Sequence, residues 1–431
     1  MERGFHLPGA PRERDRTRAF GDGTLGVVDL SARQMRALLG ELRARRPRSD
    51  PAARAVTIAR AARRFLDDGD PLRRRAVAGL PAITRFSPPM IEAALPRVFT
   101  PLADVAELGR IASGPRECVS LLGIVAAGNI PGVPLAKASL ALAAGSSCIV
   151  KSAAGEPLLA VLFAEALAEA DPSLASAFAA TWWEGGSAPC EEEFLRGIDS
   201  LIAYGSDGAI ASLAARGPKR FVGHRHKMSI GLVQLDGAHD LAETAEAAAV
   251  DVALYDQLGC LSPQSFFTVG GAPGKRGTFI AALSRALEDA ERRWPPGLLP
   301  EAQALAIRRL RDEYEWRAIQ GEAVAVYGGA SAGSWTVVDD PTPGLRPSPL
   351  HRTIFVRRLQ TLADLRGALG EWLPRIESVG MAPWPDETGL RAISALGVPR
   401  IAPLGAMQDP DLAWRQGGLE PMSGICSEDA A

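Results

Sequence analysis

Between residues 119 and 215 the chain alternates short buried runs with longer helical ones. VSLLGIVAAG, SSCIVKS, AFAATWWEGG and SLIAYGS read as strands, and GVPLAKASLALAAG, EPLLAVLFAEALAEA, CEEEFLRGID and DGAIASLAARG as the helices after them. Strands that alternate with helices in this way form a doubly wound parallel α/β sheet. Ligands bind such sheets outside the carboxyl ends of the strands. Four strand ends, Gly128-Asn129, Lys151-Ser152, Gly185-Gly186 and Gly205-Ser206, are therefore expected to share one crevice.

Residues 1–30 read as irregular, and the first 110 residues as mostly helical with no evident strand ladder. Ser31 is the expected N-cap of SARQMRALLGELRARR, and Ser87-Pro88-Pro89 opens a later helix. After RFVGHRHKMSIGLVQL a second α/β unit begins, with strands expected at SFFTVGG, AVAVYGG, SWTVVDD, HRTIFVRRL and PRIAPLG.

The chain's 431 residues suit two or three domains. Its net charge of −2 gives no global field that points to nucleic acid. Residues 1–75 hold 18 Arg against 10 acidic residues, an Arg-rich solvated helical face or an arm for an anionic partner. Elsewhere Lys is scarce, five in all, so Lys151 at a strand end stands out. Five scattered Cys are too few for a disulfide framework and show no metal spacing, which points to a reducing cytoplasm. The apolar stretch 121–150 is broken by Asn129, Pro131, Pro134 and Lys137, so no membrane span is expected.

Cys260, in YDQLGCLSPQ, follows a helix end and a glycine, and precedes Pro263. A nucleophilic thiol needs such an open mouth, although a free Cys is as often a small buried hydrophobe. Cys118, Cys148 and Cys190 fit that second role. Asn129 can aim its amide into the crevice as an oxyanion donor, or serve only as a turn residue. Lys151 can hold a cofactor ribose or its 2′-phosphate, or lie along the surface as an edge lysine. Ser206 caps a helix whose N-terminus can face a pyrophosphate. There is no GxGxxG, P-loop or GxSxG, and His224 and His226 lack a third ligand, so no metal is expected. Trp182 and Trp183 are expected to fill the core.

GNIPG, IVKS, YGS, GHRHK and DQLGCLSPQ occur in this order along the chain. Together they resemble the aldehyde dehydrogenase superfamily, and within it the bioluminescence-type fatty acyl-CoA reductase (LuxC) family, over roughly residues 75–405. The resemblance implies an aldehyde dehydrogenase-like fold of two doubly wound parallel α/β domains with a helical N-terminal region. The expected divisions are 1–110, helical and packed on the cofactor domain; 111–235, NAD(P)-binding; 236–405, catalytic and carrying the nucleophilic Cys; and 406–431, a tail. It implies NADPH-dependent reduction of an acyl thioester, from acyl-CoA or an acyl-carrier protein, to an aldehyde, with NADH as a possible cofactor and a cytoplasmic homo-oligomer as the working form. Cys260 then matches the catalytic thiol and Asn129 the oxyanion amide. Lys151 matches the ribose lysine and Ser206 the residue near the pyrophosphate, with Gly128, Ser152 and Gly205 beside them.

Hydrolytic aldehyde dehydrogenases place a glutamate base four residues before the lysine of the segment that matches GHRHK. Gly223 stands there in this chain. A site without that base activates water poorly, which favours a thioester as acyl partner. No counterpart of the family's nicotinamide-ribose glutamate stands near SPLHRTIFV, and WRQGGLEP lacks the reductases' His-Asp-Gly run. The alternatives are an NAD-dependent hydrolytic or semialdehyde-type dehydrogenase, and an idle homologue that binds acyl carriers or a partner enzyme.

Overall fold

The structure, a computed structural model, describes all residues except 1, 9–15, 115–116, 187, 238, 332 and 428–431. The chain forms two compact units. One comprises residues 1–226, 411–414 and 419–431, and the other 227–410 and 415–418.

The first unit opens with a hairpin, β1 (Arg16–Phe20) and β2 (Gly23–Val27). The expectations that 1–30 is irregular and that the first 110 residues hold no strand ladder are corrected here. Its strands lack a clear apolar alternation, and Gly21 makes the turn in a left-handed conformation (φ 56°) where an added Cβ would lie 2.5 Å from the Ile83 carbonyl oxygen. Helices α1 (Ala32–Ala44), α2 (Pro51–Arg63), α3 (Pro71–Thr84), α4 (Pro88–Leu102) and α5 (Val105–Ala112) follow. Ser31 caps α1 in a reciprocal pairing with Gln34, while Asp50 and Asp70 cap α2 and α3, each followed by a proline.

The alternating segment then lays down β3 (Leu121–Val125), α6 (Leu135–Ala143), β4 (Ser147–Lys151), α7 (Leu159–Ala170), α8 (Pro172–Ala175), β5 (Phe178–Thr181), α9 (Ala188–Gly197), β6 (Ser200–Tyr204), α10 (Asp207–Ala215) and β7 (Phe221–His224). Among the described residues these strands form a parallel sheet of order β5-β4-β3-β6-β7. Met35, Leu38, Leu39 and Leu42 of α1 join Leu121, Ile149, Ala179 and Leu201 in its core. The helical N-terminal region thus packs on this sheet. Trp182 and Trp183 are buried, with Trp183 edge-on to Phe194.

The second unit contains β8 (Met228–Gln234), α11 (Leu241–Ala253), β9 (Pro263–Val269), α12 (Lys275–Arg293), α13 (Glu301–Ile319), β10 (Ala325–Gly328), β11 (Thr336–Asp339), β12 (Thr353–Leu359), α14 (Leu365–Leu369), β13 (Ile376–Ala382), α15 (Glu387–Ser394) and β14 (Arg400–Pro403). Its sheet order is β10-β11-β12-β9-β8-β13-β14, antiparallel only between β10 and β11. The boundary expected after residue 235 moves to 226/227, because β8 pairs with β9 and β13. The tail expected as one piece from 406 is shared between the units.

Cys118 and Cys426, 308 residues apart, are joined by a disulfide, contrary to the expectation of free thiols. The tail returns beside the chain entering β3: Val119 N–H donates to the Ile425 carbonyl (2.9 Å) and Ser427 N–H to that of Glu117 (2.8 Å). No sequence spacing records that return. Among the described residues, no helix is long and apolar enough to cross a membrane.

Candidate active site

In the second unit, α11 ends in a single 3-10 turn, and Tyr255, Asp256 and Gln257 then all take left-handed conformations (φ 56°, 49° and 63°). For residues with side chains this is strained backbone, of order 1 kcal/mol or more each, and it persists only where the surroundings over-determine it. They do so here. The Gln257 amide accepts from Thr353 N–H (2.9 Å) and donates to the carbonyls of Thr353 (2.9 Å) and Pro263 (2.8 Å). The Asp256 carboxylate accepts from Gly297 N–H (2.9 Å) and pairs with the buried Arg352 guanidinium (2.8 Å). Arg352 closes a second left-handed run, Leu350, His351 and Arg352 (φ 66°, 51° and 59°).

Cys260 follows at the start of the turn closed by Ser262 N–H on the Gly259 carbonyl (3.1 Å). Its own carbonyl accepts from Ser229 Oγ at 2.7 Å. Cys260 is partly accessible, whereas Cys148 and Cys190 are buried. Dense protein around the sulfur pushes the thiol up to about 12, and the Glu377 charge adds to the shift. The thiol is thus neutral near pH 7, and its reactivity depends on a proton acceptor.

In the first unit, the parallel order brings the carboxyl ends of β5, β4, β3 and β6 to one edge. Gly128, after β3, lies against the loop after β4. A Cβ on Gly128 would meet Gly155 Cα at 2.9 Å, and one on Gly155 would meet the Gly128 carbonyl oxygen at 2.5 Å. Asn129 is exposed beside this contact. Lys151 is half-buried with Nζ 5.7 Å from the Trp183 ring centroid, and burial holds its ammonium below the usual lysine range. Ser152 is buried and its Oγ has no hydrogen-bond partner among the described residues. Gly205 N–H donates to the His224 carbonyl (3.3 Å). Ser206 Oγ accepts from Ala209 N–H (3.3 Å), the capping role.

Two glycines in close backbone contact, an orphaned buried hydroxyl and a cation on an indole face form a polar cradle that fits a dinucleotide. Glu156, which the sequence pattern marks only as part of a helix's first turn, fixes one wall of it. Its buried carboxyl accepts from Gly132 (3.3 Å), Leu158 (2.9 Å) and Leu159 (2.7 Å) N–H groups, and burial pushes it up to about 7. Gly223 is closed to a larger residue, since an added Cβ would lie 2.6 Å from Ile210 Cγ2 and 2.9 Å from the Phe221 ring.

Residues 116–426 match the model of the family described as Acyl-CoA reductase (LuxC). The chain belongs to the acyl-CoA reductase (LuxC) family. Among LuxC relatives, the long-chain acyl-protein thioester reductase of Vibrio harveyi is 23% identical over 286 residues, 65% of this chain and 57% of that protein. The long-chain acyl-protein thioester reductase 2 of Photobacterium leiognathi is 22% identical over 302 residues, 69% of this chain and 60% of that protein. The chain therefore spans less than two thirds of these relatives' length. The fold is that of aldehyde dehydrogenases. The chain superposes on an NAD-dependent benzaldehyde dehydrogenase from Corynebacterium glutamicum (TM-score 0.74, 14% identity, 99% of this chain and 96% of that one). It also superposes on aldehyde dehydrogenase 21 from Physcomitrella patens (TM-score 0.76, 15% identity, 98% and 94%).

Proposed function

We propose that this LuxC-family protein reduces acyl thioesters, carried by CoA or an acyl-carrier protein, to aldehydes through an acyl–Cys260 intermediate. The observation that carries the reading is the setting of Cys260. It is a partly accessible thiol on a turn that follows the strained Tyr255–Gln257 run, whose Asp256 and Gln257 side chains are tied to Arg352 and Thr353. The names of the LuxC relatives, acyl-protein thioester reductases, support the same chemistry.

Cys260 sulfur attacks the thioester carbonyl. The Cys260 backbone N–H is the assigned oxyanion donor beside the sulfur, worth about 3–4 kcal/mol of barrier in a preorganised site, and the Asn129 amide has the oxyanion role only as the family resemblance implies it. The departing thiolate is a good leaving group, with a thiol pKa of about 8.5. NADPH, or NADH, would supply the hydride equivalent when bound. Gly128 and Gly155 would leave room for the dinucleotide backbone, and Lys151, Ser152, Gly205 and Ser206 would hold its ribose and phosphates. Gly223, which brings no carboxylate to the position of the hydrolytic base, supports thioester reduction over hydrolysis. The nicotinamide pool such a reductase draws on supports a cytoplasmic setting, and a homo-oligomer is the assigned working form.

Intact-mass analysis after incubation with a panel of acyl thioesters, without cofactor, tests the reading. An adduct mapped to Cys260 is expected, and Cys260→Ala should lose both the adduct and thioester-dependent NADPH oxidation while still binding NADPH. Adducts on other residues, or turnover by Cys260→Ala, would refute it.

A further inference from the structure

Strand β13 carries a carboxylate where a parallel strand ordinarily carries an apolar side chain. Glu377 is 1% exposed. It sits at a break in register: Ile376 pairs with Met228 and Ser378 with Ser229, so Glu377 is the extra residue of a bulge. Bulges of this kind re-aim a side chain and are over-represented beside active sites. A second break, between Ser229 and Gly231, lies on the other side of β8 where it pairs with β9. Ser229, shared by both irregularities, donates through Oγ to the Cys260 carbonyl. The two bulges thus converge on the turn that bears the thiol.

One Glu377 oxygen, Oε1, accepts from Gly417 N–H at 2.8 Å. The other, Oε2, is buried and has no hydrogen-bond partner among the described residues. A carboxylate oxygen left unpaired in the interior is costly unless it has another use. The charged groups that act on Glu377 are Lys227 at the head of β8 and Arg400 on β14. Arg400 is engaged with the carbonyls of Met407 (2.8 Å), Ala406 (3.0 Å) and Asp409 (3.2 Å), and Lys227 with that of Pro374 (2.8 Å). Burial raises the Glu377 carboxyl above the usual range, and its charge in turn raises the Cys260 thiol.

We propose that Glu377 is the acid–base partner of Cys260, with the free Oε2 taking the thiol proton during acyl transfer. Sγ and Oε2 make no direct hydrogen bond, so the S–H proton passes to the carboxylate through one bridging water as the sulfur–acyl bond forms. The same proton is returned to the departing thiolate as its carbon–sulfur bond breaks. After reduction, Cys260 leaves the aldehyde as thiolate and regains a proton from solvent through the same carboxyl. The inference rests on Cys260 being the acylated residue, and it adds the group that makes a neutral thiol competent.

Base and bystander predict opposite signs. If Glu377 only places a negative charge near the sulfur, Glu377→Gln lowers the thiol pKa, and alkylation of Cys260 by iodoacetamide becomes faster or stays unchanged. If Glu377 takes the proton, alkylation and acylation at neutral pH both slow by about tenfold or more. Glu377→Asp, which keeps the carboxylate, should recover part of the loss. Wild-type protein gives a second readout that needs no variant. With a carboxylate acceptor, the alkylation rate rises with pH and levels off once that carboxyl is ionised. A lone thiol gives one unbroken rise through neutral pH. Faster or unchanged alkylation in Glu377→Gln, or the unbroken rise, overturns the proposal. Wild-type protein that alkylates at Cys260 but accepts no acyl group from any thioester would sink the reductase reading, and the alkylation ratio would still decide the role of Glu377.

Discussion

The Arg352 guanidinium, 1% exposed, grips the Asp256 carboxylate at 2.8 Å and joins two runs of three left-handed residues. Arg352 Nη2 also donates to the Trp294 carbonyl at 2.6 Å, so the pair is tied to the end of α12. The strained backbone before Cys260 is thus held from a segment almost a hundred residues further along the chain. Arg352→Met leaves Asp256 buried and uncompensated, a change expected to cost about 3–5 kcal/mol. Thermal melting should show that loss. The rate of Cys260 acylation, measured well below the new melting temperature, should fall as well, because the turn loses the contact that fixes its backbone. An unchanged acylation rate would show that the ion pair stabilises the unit without positioning the thiol.

Glu156 makes stability depend on pH in a definite direction. Its carboxyl titrates near 4.5 as a free group and near 7 when folded, because burial outweighs the three N–H donors that favour its charge. Between those values the native state keeps a proton that the unfolded chain has released. Stability from this group therefore falls as pH rises from about 4.5 to about 7, by about 1.4 kcal/mol per pH unit at most. Glu156→Gln should flatten this part of the melting profile relative to wild type. It should also speed hydrogen exchange at the Gly132 amide, whose acceptor becomes an NH₂ group. The same slope in both proteins would show that Glu156 ionises normally in the fold.

The Cys118–Cys426 bond closes the tail onto the first unit, where Lys137 Nζ also donates to the Pro421 carbonyl at 2.6 Å. A cross-link over so long a loop is worth about 2–5 kcal/mol through the entropy it removes from the unfolded chain. Cys426→Ser, or wild-type protein in excess reductant, should melt several degrees lower than the oxidised form. The tail should gain protease sensitivity while Cys260 keeps its alkylation rate. Thiol titration of freshly prepared protein should count three free cysteines when the bond is formed and five when it is reduced.

The first sheet was legible in the sequence because its strands are continuous apolar runs between glycine-ended helices, and that pattern has one economical solution. Cys260, Asn129, Lys151 and Ser206 stood out for a related reason: each follows an element end where a side chain can meet a ligand. The residues that were missed act through tertiary pairing. Arg352 falls at the head of the expected strand HRTIFVRRL, where nothing in the sequence marks it as the partner of Asp256, and that pairing is set by β12 lying beside β9. Strand β13 escaped notice because Glu377, Ser378 and Gly380 interrupt its apolar pattern, and its bulge exists only against β8. The hairpin β1–β2 was hidden in a stretch rich in Arg and Gly. The disulfide joins residues whose proximity depends on the path of the whole chain.

Gly128 and Gly155 supply a test of the cofactor cradle with a separate readout, the intrinsic alkylation of Cys260. Their backbones approach so closely that a Cβ on Gly155 would stand 2.5 Å from the Gly128 carbonyl oxygen, well inside contact distance. Gly155→Ala must push the loop after β4 away from the loop after β3, since the obstructing atom is backbone and cannot rotate aside. That movement displaces the ends that carry Lys151 and Asn129. NADPH affinity, measured by fluorescence or calorimetry, should fall by about tenfold or more, equivalent to about 1.4 kcal/mol. Iodoacetamide modification of Cys260, which belongs to the other unit, should proceed at the wild-type rate. Lys151→Ala offers the matching electrostatic probe. It should weaken NADPH more than NADH if the ammonium on Trp183 meets a 2′-phosphate, and both equally if it meets only the ribose. Undiminished NADPH binding by Gly155→Ala would remove these loops from the cofactor site.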